Sequence, residues 1–207
     1  MKNSVAIIDY GVGNIRSVYN AFRYCDPSIE IDIVSNPECL SKYSKIILPG
    51  VGAFQDAMKK IIAAGFDEAI IREATNGKHI LGICLGMQLL GTCSFEFGKF
   101  NGLNIIEGEV HSFEFVGMDL KNPHVGWNSV HYNLEDVLFK EVQNDSDFYF
   151  LHSYYFVPKN SNYALCCTDY GINFASVIKK DNVYGVQFHP EKSQKAGLHL
   201  LKNFLLL

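Results

Sequence analysis

The chain has 207 residues, with 18 basic and 22 acidic side chains, a net charge of −4, 48% hydrophobic residues and 19% charged ones. This length predicts one domain, or at most two small ones, with room for a core of useful size. The composition excludes a disordered chain, and the slightly acidic balance argues against nucleic acid as the main partner, because phosphate binding needs a positive surface. The opening Met1-Lys2-Asn3-Ser4 leads into the apolar run Val5-Ala6-Ile7-Ile8, which stops at Asp9. That run is too short for a signal-peptide core, and no window reaches the length of a membrane span, so a cytoplasmic protein without a membrane partner is expected. The six cysteines (Cys25, Cys39, Cys84, Cys93, Cys166 and Cys167) contain no C-x-x-C pair. Neither a metal site nor a redox dithiol is expected from them.

The first half alternates strand and helix patterns. Val5 to Asp9 reads as a buried strand, and Ile15, Val18, Tyr19 and Phe22 recur at helical spacing. Ile29, Ile31 and Ile33 alternate with Glu30 and Asp32, the period of a strand. Lys45 to Leu48 reads as a further strand closed by Pro49-Gly50. Phe54, Met58, Ile61 and Ile62 mark a helix ended by Gly65. His79 to Cys84 reads as a strand and Leu85 to Leu90 as the start of a helix. Alternation of this kind implies crossover units and a parallel sheet. In the second half, Asn104 to Val110, Val125 to Tyr132, Phe148 to Phe156, Tyr163 to Asp169, Phe174 to Lys179 and Val183 to Phe188 read as strands with hairpin-like spacing, hence antiparallel additions. A helix from about Lys195 closes the chain. The fold class expected is α/β: one domain over residues 1–207, with a central mixed, mostly parallel sheet flanked by helices.

Three segments carry chemistry. Gly82-Ile83-Cys84-Leu85-Gly86 lies between a predicted strand and a predicted helix, the form of a nucleophile elbow with cysteine in place of serine. Such a turn raises the sulfur above the sheet at a helix N-terminus, where the dipole favours an anion, and aims the Leu85 N–H at any oxyanion formed there. Taken alone, the pattern also fits a buried cysteine in a glycine-rich turn. His189-Pro190-Glu191 follows a strand, and in an extended segment the first and third residues face one side, so Glu191 can fix the tautomer of His189. A satisfied histidine with a solvated glutamate would have the same sequence. Gly50, Val51 and Gly52 end another strand and could turn N–H groups toward a ligand as the second half of an oxyanion hole, or form a plain loop. Gly11-Val12-Gly13 begins like a dinucleotide fingerprint, but Arg16 stands where the third glycine belongs. Ligands gather at the carboxyl ends of parallel strands. Cys84, His189 and residues 50–52 all fall at predicted carboxyl ends, and this coincidence favours the catalytic reading of each.

The segment Gly82-Ile83-Cys84-Leu85-Gly86-Met87-Gln88, taken with Phe188-His189-Pro190-Glu191, resembles the class I (triad) glutamine amidotransferases, whose fold is flavodoxin-like. Within them, the chain is most similar to the glutaminase branch that serves the histidine pathway. The marks are Ile8 to Asn14, Leu48 to Phe54, Pro123 to Asn128, Phe150 to Tyr155 and Gly185 to Ser193, so the resemblance spans the chain. Cys93 to Gly98 and Asn104 to Gly108 depart from the family's usual runs.

The resemblance implies a glutaminase with Cys84 as nucleophile, His189 as acid and base, Glu191 orienting His189, and no cofactor. Leu85 with Val51 or Gly52 would hold the oxyanion, and Gln88 with Ser153 and Tyr154 the amino-acid end of glutamine. It further implies a (β/α)8-barrel cyclase partner that receives ammonia through a channel and makes imidazole glycerol phosphate and aminoimidazole carboxamide ribotide. Asn14 and Trp127 would lie at that interface, though Trp127 could also be a core aromatic. The glutaminase would idle until the partner binds, with rotation of the Val51 peptide as the switch. Three alternatives remain at this level: a paralogue supplying ammonia for surface-sugar synthesis, a stand-alone cysteine hydrolase, and a non-catalytic regulatory module, which the intact Cys84, His189 and Glu191 disfavour.

Overall fold

The computed structural model describes residues 3–113, 120–132 and 136–207. Met1 and Lys2, which open the run considered as a targeting signal, lie outside them. The first half runs β1 (Ser4–Ile8), α1 (Ile15–Cys25), β2 (Glu30–Val34), β3 (Lys45–Gly50), α2 (Phe54–Ala63), α3 (Phe66–Thr75), β4 (His79–Cys84) and α4 (Leu85–Leu89). The second half runs β5 (Cys93–Ser94), β6 (Phe100–Asn101), β7 (Gly108–Ser112), β8 (His124–Tyr132), β9 (Ser146–His152), β10 (Tyr154–Pro158), β11 (Ala164–Asp169), β12 (Asn173–Lys180), β13 (Val183–Val186) and α5 (Gln194–Leu206).

A nine-stranded sheet has the order β2-β1-β3-β4-β13-β12-β11-β8-β9. Neighbours from β2 to β13 pair parallel, and those from β13 to β9 antiparallel. All five residues of β1 are buried, as expected of a parallel strand covered on both faces. Val5 and Ile7 point into one core with Val18 and Phe22 of α1 and Leu200, Leu201 and Phe204 of α5. Ala6 and Ile8 point into the other, with Phe54, Met58 and Ile61 of α2 and Phe66 and Ile70 of α3. The mixed α/β fold with helices on both faces is therefore the one expected. Among the described residues no helix is long and apolar enough to cross a membrane.

Several local expectations are corrected. Gly65 does end α2, at φ +73, but a second helix starts immediately after it and buries Phe66, Ala69, Ile70 and Ala74 at helical spacing. The strand expected from Asn104 begins only at Gly108, because the N–H groups of Asn104, Ile105 and Ile106 bond back to the carbonyls of Gly91 and Leu90 at the end of the elbow helix. The single strand expected over Phe148 to Phe156 is two, broken at Ser153. Phe148, Phe150 and His152 are buried in β9 and Phe156 in β10, so the alternation runs on across the break and conceals it. The two halves then part: β9 closes the large sheet, and β10 joins a separate sheet of order β10-β7-β5-β6.

The elbow is fixed by close packing. An added Cβ on Gly86 would lie 1.8 Å from the Leu48 carbonyl oxygen of β3, and one on Gly82 would lie 2.6 Å from the Gly86 oxygen. Both obstacles are backbone, which no side-chain rotation relieves. Gly86→Ala is accordingly expected to destabilise the fold by about 3 kcal/mol or more, the upper range for overpacking. A urea midpoint equal to that of the wild type would contradict this packing.

Candidate active site

Three adjacent parallel strands deliver the site. β3, β4 and β13 lie side by side, with Gly50 opposite Cys84 and Val186 opposite Ile83. Residues 50–52, Cys84 and the Gln187-Phe188-His189 segment therefore leave the same edge of the sheet together. Their joint position at the carboxyl ends is the one anticipated from the sequence.

Cys84 sits at φ +54 and ψ −111, outside the regions an L-residue prefers, which costs on the order of 1–3 kcal/mol. Strand pairing on both sides and the glycine contacts impose that conformation. Only 6% of Cys84 is exposed, yet it lines a pocket of about 530 Å³ together with Val51, Gly52, Leu85, Gln88, Glu96, Ser153, Tyr154 and His189. Among the residues expected to serve glutamine, Gly50 alone is not a lining residue. It packs beneath, where a Cβ would meet the Tyr10 hydroxyl at 2.8 Å and the Gly86 nitrogen at 2.9 Å. That hydroxyl donates to the Pro49 carbonyl at 2.9 Å, which holds the end of β3 in place.

His189 Nδ1 lies 2.9 Å from Glu191 Oε1, and the two side chains are 2% and 0% exposed. The route differs from the extended one expected. Pro190–Lys192 is a 3-10 turn, so Glu191 curls back to the ring instead of reaching it by strand alternation. Ser193 Oγ donates to the His189 carbonyl at 2.6 Å, and the His189 N–H bonds to Tyr149 O at 2.8 Å, which pins the backbone to β9. Burial opposes a charge on the imidazole, but hydrogen bonding and negative charge at Cys84 and Glu191 outweigh it and push His189 up to about 9. Its Nε2 makes no hydrogen bond to any of the described residues, although Cys84 is close enough to favour a proton on the ring. A catalytic pair whose hydrogen bond is not formed is common before substrate tightens a site.

Sequence reasoning missed several participants. Gln187 bridges the site: Gln88 Nε2 donates to Gln187 Oε1 at 3.0 Å, and Gln187 Nε2 approaches Cys84 Sγ at 3.8 Å. A polar residue between Val186 and Phe188 in a buried run had to find partners, and that was the available signal. Glu96 lines the pocket and its Oε2 accepts from Phe54 N at 2.6 Å, at the start of α2. It lies in the segment that departs from the family run, flanked by two phenylalanines, and no spacing marks it. Asn14, expected at an interface, donates from its Nδ2 to Glu191 Oε1 at 3.5 Å. Trp127 is 47% exposed, so it is not a core aromatic.

A cysteine on a strained elbow, with a histidine beside it and a buried carboxylate behind the histidine, is the arrangement that activates a thiol for acyl transfer. The family model described as "Glutamine amidotransferase class-I" matches residues 6–207, and the chain belongs to that family. It is 45% identical over 204 residues to "Imidazole glycerol phosphate synthase subunit HisH" of Geobacter sulfurreducens, covering 97% of each chain. It is 46% identical over 201 residues to the protein of the same name from Chlorobaculum tepidum, with 97% and 98% covered. Among solved structures, "Structure of PurLQS from Thermotoga maritima" is similar at a TM-score of 0.73 and 19% identity, with 100% and 98% covered. "Crystal structure of glutamine amidotransferase" gives 0.74 and 18%, with 98% and 99% covered. These two share the fold.

The raised His189 has a consequence for stability. A group whose folded value, about 9, exceeds its ordinary 6.5 contributes stability that is fully present below 6.5 and is lost as pH rises through 9. Wild-type protein should therefore lose urea resistance across that window. Glu191→Gln, which removes one of the groups holding the charge, should be less stable at pH 6 and decline less toward pH 9. Parallel curves for the two proteins would contradict the assignment.

Proposed function

We propose that this chain, as one amidotransferase domain, is the glutaminase subunit of an imidazole glycerol phosphate synthase, hydrolysing glutamine to glutamate and ammonia for a cyclase partner. The observation that carries the reading is the Cys84, His189 and Glu191 set, lying on adjacent strand ends in a chain so similar to named synthase subunits.

Cys84, as thiolate beside the His189 imidazolium, attacks the side-chain carbonyl of glutamine. The tetrahedral oxyanion is held by N–H groups of Leu85 and of Val51 or Gly52. His189 then gives its proton to the departing nitrogen, ammonia leaves, and a γ-glutamyl thioester remains on Cys84. Neutral His189 takes a proton from water, whose oxygen attacks the thioester, and glutamate departs as the thiolate is restored. Glutamine and water become glutamate and ammonia, without a cofactor. Gln88 donates to Tyr154 O at 2.9 Å and to Gln187, so its own amide oxygen is available to the amino-acid end of the substrate, near Ser153 and Tyr154. The Glu96 carboxylate on the same pocket wall suits the substrate's ammonium group.

Ammonia released into neutral water would be protonated and lost as a nucleophile, which is the chemical reason for a docked (β/α)8-barrel acceptor. Val51, Val125, Trp127 and Leu151 are exposed apolar side chains, and Val125 pairs across the strands with Leu151, which lines the pocket mouth. This apolar face is the surface we assign to the partner, with Asn14 close by at the triad carboxylate. Gly52, at φ +97 with open space around it, suits a rotating peptide at Val51 as the device that completes the oxyanion hole on docking.

Cys84→Ala, assayed with its co-purifying cyclase, is expected to lose glutamine-dependent product formation by roughly 10³-fold or more while added ammonium salt still supports it. Retained glutaminase activity would refute the nucleophile. A partner product other than imidazole glycerol phosphate would move the chain to the surface-sugar alternative. Full turnover by the wild-type chain alone would remove the Val51 switch and favour the stand-alone hydrolase.

A further inference from the structure

Along the pocket wall, which His152 itself helps to line, runs a mostly buried polar chain that the triad does not use. His124 of β8 and His152 of β9 are cross-strand partners, 2% and 6% exposed. His124 Nδ1 and His152 Nε2 are 3.0 Å apart, and His152 Nδ1 lies 2.9 Å from the Tyr154 carbonyl. On the far side, Asn128 Nδ2 lies 3.3 Å from His124 Nε2 and donates to Asp169 O at 2.9 Å, while Asn128 Oδ1 accepts from Ser129 N at 2.9 Å.

These contacts fix the protons. The Tyr154 carbonyl can only accept, so His152 Nδ1 carries hydrogen and its Nε2 accepts. His124 must then donate from Nδ1 and accept at Nε2, and the Asn128 amide, oriented by its other two bonds, supplies that last donor. Every bond in the chain is satisfied only when both rings are neutral and both carry hydrogen on Nδ1. A proton added to either ring would set two N–H groups against each other. His124 is held flat between Tyr170 and Phe150, with ring centroids at 3.9 and 4.8 Å, so it cannot swing away.

We propose that His124 and His152 are a positioning pair for glutamine. Through one directed hydrogen-bond chain they fix the Ser153–Tyr154 wall of the pocket, and they tie it to β8, the strand that carries Trp127. The Tyr154 carbonyl receives His152 from one side and Gln88 from the other, and Gln88 leads on through Gln187 to the Cys84 sulfur. A shift of β8 thus reaches the substrate wall without crossing solvent. Burial supports the neutral state, holding His124 down to about 4 and His152 to about 3, with the nearby His124 and His189 adding to the effect on His152.

The inference rests on Ser153 and Tyr154 binding glutamine, and the test separates the two claims. His124→Phe keeps the stacked ring shape but removes the donor to His152. His124→Asn keeps a donor close to where Nδ1 stood. With the cyclase bound, the phenylalanine variant is expected to raise the KM for glutamine about tenfold, the effect of one lost buried hydrogen bond, with kcat within twofold of wild type. The asparagine variant is expected to recover most of that loss. Equal KM values in all three proteins, or a fall in kcat shared by both variants, would overturn the proposal. Should the phenylalanine variant not fold, nitrogen-15 NMR of the wild-type histidines decides: both rings are expected as neutral Nδ1–H tautomers near pH 7, and an Nε2–H tautomer at either would overturn it. A wild-type complex without glutaminase activity would instead refute the functional reading and leave the tautomer result standing.

Discussion

Gly86 touches the Leu48 carbonyl so closely that no side chain fits between them, and that contact governs the geometry of the site. It draws α4 down onto β3, and the chain can then enter the helix only if Cys84 takes a conformation that L-residues avoid. The strain, on the order of 1–3 kcal/mol, is offset by parallel pairing on both sides of β4 and by burial of Leu85, Met87 and Leu89. The result is a sulfur that sits within the sheet's edge but opens onto the pocket. The same register places Gly50 opposite Cys84, so the segment assigned to the oxyanion hole lies one strand away.

The second constraint is electrostatic. A glutamate whose side chain has no exposed surface and a histidine nearly as deep would be costly as separate ions. At 2.9 Å each offsets the burial of the other, and a proton on the imidazole is favoured as a consequence. The His124 and His152 pair shows the opposite outcome at similar depth. Among the described residues no carboxylate joins those rings in their hydrogen-bond chain, so burial wins and both stay neutral. Two buried histidine sites a short distance apart are thus set to opposite charge states by their partners, one suited to proton transfer and the other to holding a wall.

Much of this was legible from residues alone, and the limits have physical causes. Cys84 between Gly82 and Gly86 announces an elbow because only glycine tolerates those contacts, and His189 with Glu191 announces a pair because they are two residues apart. The parallel half was readable because its strands are short apolar runs broken by helical spacing. The break at Ser153 was not, since burial alternates across it in both strands. Nor was the second helix after Gly65, where a left-handed glycine serves as a junction between helices. Gln187 showed only as a polar residue in a buried run, while Glu96 and the His124–His152 contact depend on segments brought together from distant parts of the chain, and sequence spacing carries no trace of them.

On the proposed mechanism the fold makes Cys84, among six cysteines, the one that accepts an acyl group. Acid quenching of the protein during glutamine turnover, followed by peptide mass spectrometry, tests it directly. A single γ-glutamyl thioester is expected, on the peptide containing Cys84 and absent from the other five cysteines. Turnover with the adduct on a different cysteine would contradict it.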